Sequence, residues 1–128
     1  MNQNTSQKYK SNSKTLGLEL CLEMIGGKWK PIILFQISKG INRFNRLFVQ
    51  IEPINRQMLS KQLKELEKAK ILERTLFPEI PPRVEYTITP LGKSLLPIVH
   101  SMNRWGEKQK SGNIEAVSPK SQQLPLFE

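Results

Sequence analysis

The stretch from residue 55 to residue 70 leaves the chain few folds to choose from. Projected at roughly 100° per residue, its Leu59, Leu63 and Leu66 share one narrow arc of a helix. Gln57, Lys61, Lys64 and Lys68 lie opposite, with Arg56 and Ser60 beside them near the N-terminal end. Such a helix must cover a core with its leucines and turn its other side to water or to a polyanion. Asn55 predicts its N-cap, because a short side-chain carbonyl can accept one of the amides that open a helix. Glu52-Pro53-Ile54 before it predicts a turn, since a residue preceding proline resists the helical region. Upstream of the turn, Phe44, Leu47, Phe48 and Ile51 form the apolar stripe of a shorter helix with Asn42 as its candidate cap.

The flanks narrow the choice. Leu18, Leu22 and Ile25 recur at helical spacing from residue 16, and Gly26-Gly27 stop that helix. A second helix is expected from Trp29 to Pro31 onward, where proline fits a first turn, and Lys39-Gly40 ends it. After residue 70 come two β-rich stretches, 72–77 and 83–89. The second alternates Val84, Tyr86 and Ile88 against Arg83, Glu85 and Thr87. Pro78, Pro81 and Pro82 between them enforce an extended loop. Thr89-Pro90 then predicts an N-cap and first helical residue, opening a last helix to about residue 110.

Charge and missing residue types limit function. The 128 residues hold 20 Lys+Arg against 11 Asp+Glu, a net charge of +9 that suits a polyanionic partner, although excess lysine is often only a solvated surface. The excess is concentrated: residues 28–70 carry ten basic side chains and three acidic ones. There is no aspartate, one histidine (His100) and one cysteine (Cys21), so metal centres, aspartate-based triads and Cys–His nucleophiles lack material. No phosphate-cradling glycine loop is present. The chain is therefore not expected to be an enzyme or to hold a cofactor or metal. With no apolar run long enough for a bilayer, no secretory pattern and no possible internal disulfide, a cytoplasmic location without membrane contact is expected.

Three helices, a turn-linked pair with a basic second member and a hairpin with a long loop make up a winged helix-turn-helix. The expected fold is mostly α with a small β-hairpin (α+β), with an added C-terminal dimerisation helix. Residues 1–15 are expected to form a flexible arm, 16–110 the DNA-binding and dimerisation domain, and 111–128 a polar tail. A major groove about 12 Å wide admits one helix, and the 55–70 helix offers Arg56, Gln57, Ser60 and Lys61 near its entering end. Arginine and glutamine can read base edges, while lysines such as Lys64 mostly hold backbone. Lys68 and Lys70, further along, read as a solvated face, and pairs such as Lys61–Glu65 or Lys64–Glu67 are the bland reading for the rest. Arg83 is the natural wing contact to phosphate or minor groove, and Arg74 could pair with Glu85 across the hairpin. The competing reading is a winged-helix module for protein–protein contact without DNA.

Several strings occur in order at fixed distances: Ile25-Gly26-Gly27-Lys28-Trp29-Lys30, Arg43-Phe44-Asn45, Met58-Leu59-Ser60-Lys61-Gln62-Leu63-Lys64-Glu65-Leu66, Pro81-Pro82-Arg83-Val84-Glu85-Tyr86 and Leu91-Gly92. Together they resemble the HxlR-type family of bacterial winged-helix transcription regulators, relatives of the MarR type, over residues 16–106. The resemblance implies a homodimer on double-stranded DNA, the 55–70 helix in the major groove and loop 78–83 as wing. It brings Arg43, Asn45 and Asn55 into the candidate DNA-contacting set with Arg56, Gln57, Ser60, Lys61, Lys64 and Arg83. Many family members begin their first helix with a cysteine followed by proline, which some use to sense thiol-reactive compounds. Here that position is Leu16, followed by Gly17. Cys21 reads as an inert core residue, with thiol sensing through it as the minority reading, and the sequence does not identify an effector.

Leu91, Leu95, Ile98, Met102 and Trp105 are spaced 4, 3, 4 and 3, a heptad-type seam that Leu96 and Val99 widen. With Leu18 and Leu22 of the first helix they are the candidate dimer interface. Pro97 is expected to kink this last helix or delay its start, and His100 is expected on the surface. The tail closes on Gln123-Leu124-Pro125-Leu126-Phe127. That string looks like the short glutamine-led peptide by which bacterial replication and repair proteins bind the sliding clamp, with docking on the dimer as the alternative.

Overall fold

The computed structural model describes residues 14–112. The clamp-like string and nearly all of the expected arm and tail lie outside those residues. Among the described residues five helices and one hairpin follow in chain order: α1 Leu16–Ile25, α2 Trp29–Ser38, α3 Phe44–Gln50, α4 Arg56–Lys68, β1 Leu72–Phe77, β2 Arg83–Ile88 and α5 Pro90–Ser111.

Helix α2 is the hub, packing against α3, α4, α5 and β2. Its Ile33 and Leu34 are fully buried, as are Leu47 of α3 and the three α4 residues Leu59, Leu63 and Leu66. Each such leucine contributes about 1.5–3 kcal/mol of apolar burial. The α4 arc read from sequence is therefore its core face. In α1, Ile25 is buried and Cys21 and Met24 pack partly against the core, while Leu18 and Leu22 stay exposed.

Local chemistry sets the boundaries. The side-chain oxygen of Asn55 accepts the Met58 amide at 2.7 Å, capping α4. The cap of α3 corrects the sequence expectation. Arg43 takes the N-cap position with no side-chain bond, and the Asn42 carbonyl instead accepts the Tyr86 amide at 3.0 Å. Asn42 thus joins the helix pair to β2. Helices α2 and α4 end alike, with the residue after the C-cap in the left-handed region and two backbone bonds reaching back into the last turn. In α2 that residue is Gly40 (φ +95); in α4 it is Lys70 (φ +66), which carries a Cβ into the same conformation.

The strands pair antiparallel, Leu72 with Ile88 through Phe77 with Arg83. This register opposes Arg74 to Tyr86 and Thr75 to Glu85, so the expected Arg74–Glu85 pair does not form. The Thr89 oxygen accepts the Gly92 amide at 3.0 Å, and its hydroxyl donates to the Lys70 carbonyl at 2.6 Å. Helix α5 lies so close to the hairpin that a Cβ on Gly92 would collide with the Ile71 carbonyl and come within 2.7 Å of Ile88. That contact is the physical reason for glycine in the Leu91-Gly92 string.

Helix α5 runs unbroken through Pro97. Its apolar residues form two rows, not the single seam expected. Leu95 and Val99 face the core of their own chain at 8% and 3% exposure, and Leu96 packs partly against it. Leu91, Ile98, Met102 and Trp105 face outward, from 43% to 68% exposed. Leu95 therefore packs in the fold of its own chain and does not stand on the outward row. His100 is also corrected: it is half-buried, its ring edge-on to Phe35 with centroids 5.4 Å apart. Among the described residues no helix is long and apolar enough to cross a membrane.

Candidate nucleic-acid interface

Helices α3 and α4, joined through the Glu52–Asn55 turn, present the candidate residues. Burying Leu59, Leu63 and Leu66 forces Gln57, Lys61 and Lys64 outward, all exposed, with Ser60 half-buried at the edge. Among the described residues no carboxylate lies within ion-pair distance of Lys61 or Lys64. The pairs Lys61–Glu65 and Lys64–Glu67 considered from the sequence are absent. Glu65 turns instead to Lys30 of α2 at 2.8 Å, tying the two helices. The hydrogen bond from Lys30 holds the Glu65 carboxyl below its ordinary range against a smaller opposing effect of burial.

Arg56 stands differently. Its guanidinium lies over the Phe48 ring at 4.3 Å and donates to the Asn45 side-chain oxygen at 3.1 Å. The structure thus brings Arg56 and Asn45 together as one unit that pins the start of α4 to α3. Asn55 uses its side-chain oxygen as the cap, so its NH2 is the side-chain donor left over. Arg46 of α3, exposed and without an ion-pair partner among the described residues, was missed in the sequence. Its place directly after Arg43-Phe44-Asn45 was the available signal.

Arg83 of β2 and the nearby Arg43 are occupied. Arg83 donates to Glu85 at 2.6 Å and to Glu79 at 2.7 and 3.2 Å, and its guanidinium stacks on Phe77 at 3.8 Å. Arg43 reaches the same Glu85 oxygen at 3.5 Å. The hydrogen bond from Arg83 lowers the Glu79 pKa, while Glu79 and then Glu85 raise that of Arg83 still further. Glu79 also escaped the sequence reading, although its spacing four residues before Arg83 was visible.

A tri-helical core whose second turn-linked helix shows a basic outer face, followed by a two-stranded wing, defines a winged helix-turn-helix protein. The HxlR-like helix-turn-helix family matches residues 24–113, and the chain belongs to that family. It is 41% identical over 93 residues to the HTH-type transcriptional regulator YdeP of Bacillus subtilis (strain 168), covering 73% of each chain. It is 39% identical over 100 residues to the putative regulatory protein MalR of Fusobacterium mortiferum, covering 77% of this chain and 94% of that one. Among solved structures, the redox regulator HypR in its oxidised form superposes with a TM-score of 0.70 at 41% identity, over 72% of this chain and 95% of that one. The chain is a transcriptional regulator of helix-turn-helix type.

Proposed function

We propose that the chain binds duplex DNA sequence-specifically, as a homodimer on an operator of two half-sites. One observation carries the reading: the outward row of α4, with Gln57 exposed and Lys61 and Lys64 exposed and unpaired among the described residues, opposite a fully buried leucine face. Gln57 has the two-pronged amide that suits adenine, and the lysines and Arg46 suit phosphate. The loop 78–82 and Arg83 act as the wing, on backbone or minor groove. The outward α5 row of Leu91, Ile98, Met102 and Trp105, with Leu18 and Leu22 of α1, supplies the apolar surface for a second copy. We read no catalytic role and place the protein in the cytoplasm, where its DNA is.

The test is selection of bound sequences from random duplexes, followed by a salt titration on the winner. A dimer neutralising on the order of 6–10 phosphates loses roughly 10³–10⁵ in affinity between 50 and 200 mM salt. A flat titration overturns the reading. For the dimer, Ile98→Glu with Met102→Glu should sediment as a folded monomer that no longer binds two half-sites, and an unchanged dimer would move the interface off α5.

A further inference from the structure

The two carboxylates on Arg83 are not equivalent. Glu85 stands on β2, its side chain 24% exposed, and is shared with Arg43, so it belongs to the frame that joins hairpin to helix pair. Glu79 hangs from the proline-framed loop, its side chain 52% exposed, and Arg83 is its sole ion-pair partner among the described residues. It occupies the Nε–Nη2 edge of the guanidinium, at 3.2 and 2.7 Å. An arginine takes a phosphate through just such a pair of parallel N–H donors. Glu85 and the Phe77 ring meanwhile hold the guanidinium from another edge and from its face.

We propose that Glu79 is a built-in competitor for the DNA backbone at Arg83. On binding, a phosphate displaces the Glu79 carboxylate from the Nε–Nη2 edge while Glu85 and Phe77 keep the guanidinium in place. The proposal rests on the reading of loop 78–82 as a wing on duplex DNA. In the free protein the wing offers little net positive charge. A backbone must approach Arg83 closely enough to exchange one anion for another. The wing contact therefore rewards a well-seated duplex more than a passing one, adding discrimination at the expense of raw affinity.

Glu79→Gln tests this. Affinity for duplex should rise about two- to fivefold, and the slope of log affinity against log salt should steepen by up to about 0.9, the share of one phosphate. Glu73→Gln is the control for charge alone, because Glu73 is exposed on β1 with no ion-pair partner among the described residues. Thermal melts establish that each variant is folded. In an Arg83→Ala background, Glu79→Gln should gain no more than Glu73→Gln does. Equal gains from the two substitutions, or a Glu79→Gln gain that persists without Arg83, overturn the proposal. Failure of the underlying readings has other signatures. Arg83→Ala with unchanged affinity means that the wing does not touch DNA, and a wild type without salt-dependent binding means that the chain is no duplex binder. Either result removes the proposal as well.

Discussion

The outward row of α4 and the loop end of the β1–β2 hairpin both carry basic side chains and stand in opposite electrostatic states. On α4, Lys61 and Lys64 have no carboxylate within ion-pair distance among the described residues, and the nearby Glu65 is drawn to Lys30 of the neighbouring helix. At the hairpin, Arg43 and Arg83 share Glu85, and Glu79 closes on Arg83 as well. Two arginines and two glutamates there make a cluster with no net charge. The difference shows that a basic chain is not uniformly available to a polyanion. Tertiary placement of a few glutamates decides which cations face outward unpaired.

Reversing charge on the open face should have the largest effect. Lys61→Glu with Lys64→Glu places like charge against phosphate and should weaken duplex binding on the order of a hundredfold, with the melting temperature nearly unchanged. Comparable binding by this variant would mean that α4 is not the DNA-facing element. Next in size, Gln57→Ala should cost about 1–3 kcal/mol on the selected site and relax base preference there. Arg56→Ala and Asn45→Ala should behave as one unit, so that the double variant loses little more than either single one. Additive losses would return Arg56 to independent base reading.

At the neutral cluster, Glu85→Gln should lower the melting temperature by up to roughly 5 °C while the α4 contacts persist. A collapse of duplex affinity without a stability change would place Glu85 at the DNA itself. The smallest effect concerns Lys30–Glu65. The folded-state pKa of Glu65 lies below its ordinary value of 4.5, so on acidification the unfolded chain takes up that proton first. The bridge therefore stabilises the fold above that range, and its contribution fades as pH falls from about 4.5 downward. Glu65→Gln should cost no more than about 1 kcal/mol at neutral pH and show a shallower acid limb. Parallel acid profiles would show that the bridge contributes nothing.

Among the described residues the five helices, both strands and the basic face of α4 were legible because each rests on local chemistry: leucine spacing, Asn55, Thr89-Pro90 and the prolines that bracket the wing. What escaped depends on contacts across the chain. No periodicity reveals that an aromatic ring lies under Arg56, or that the Asn42 carbonyl goes to Tyr86. The Arg74–Glu85 expectation failed by one residue of register, which the proline-rich loop left undetermined. In α5 the 4-3-4-3 spacing was real, but a helix with a core on one side and an open surface on another carries two apolar rows. Sequence alone could not separate Leu95 from Ile98.

The far end of α5 carries a consequence of its own. Beyond Val99, residues 100–111 continue the helix for roughly 18 Å with most side chains exposed, Met102 and Trp105 among them. A helical segment of about this length is marginal in water without something to lean on. Its order then depends on whatever covers the outward row. With a second copy as that cover, dilution should melt these turns before it disturbs the core. Helical ellipticity and Trp105 fluorescence would then fall together with protein concentration, making α5 a gauge of how much of its own kind is present.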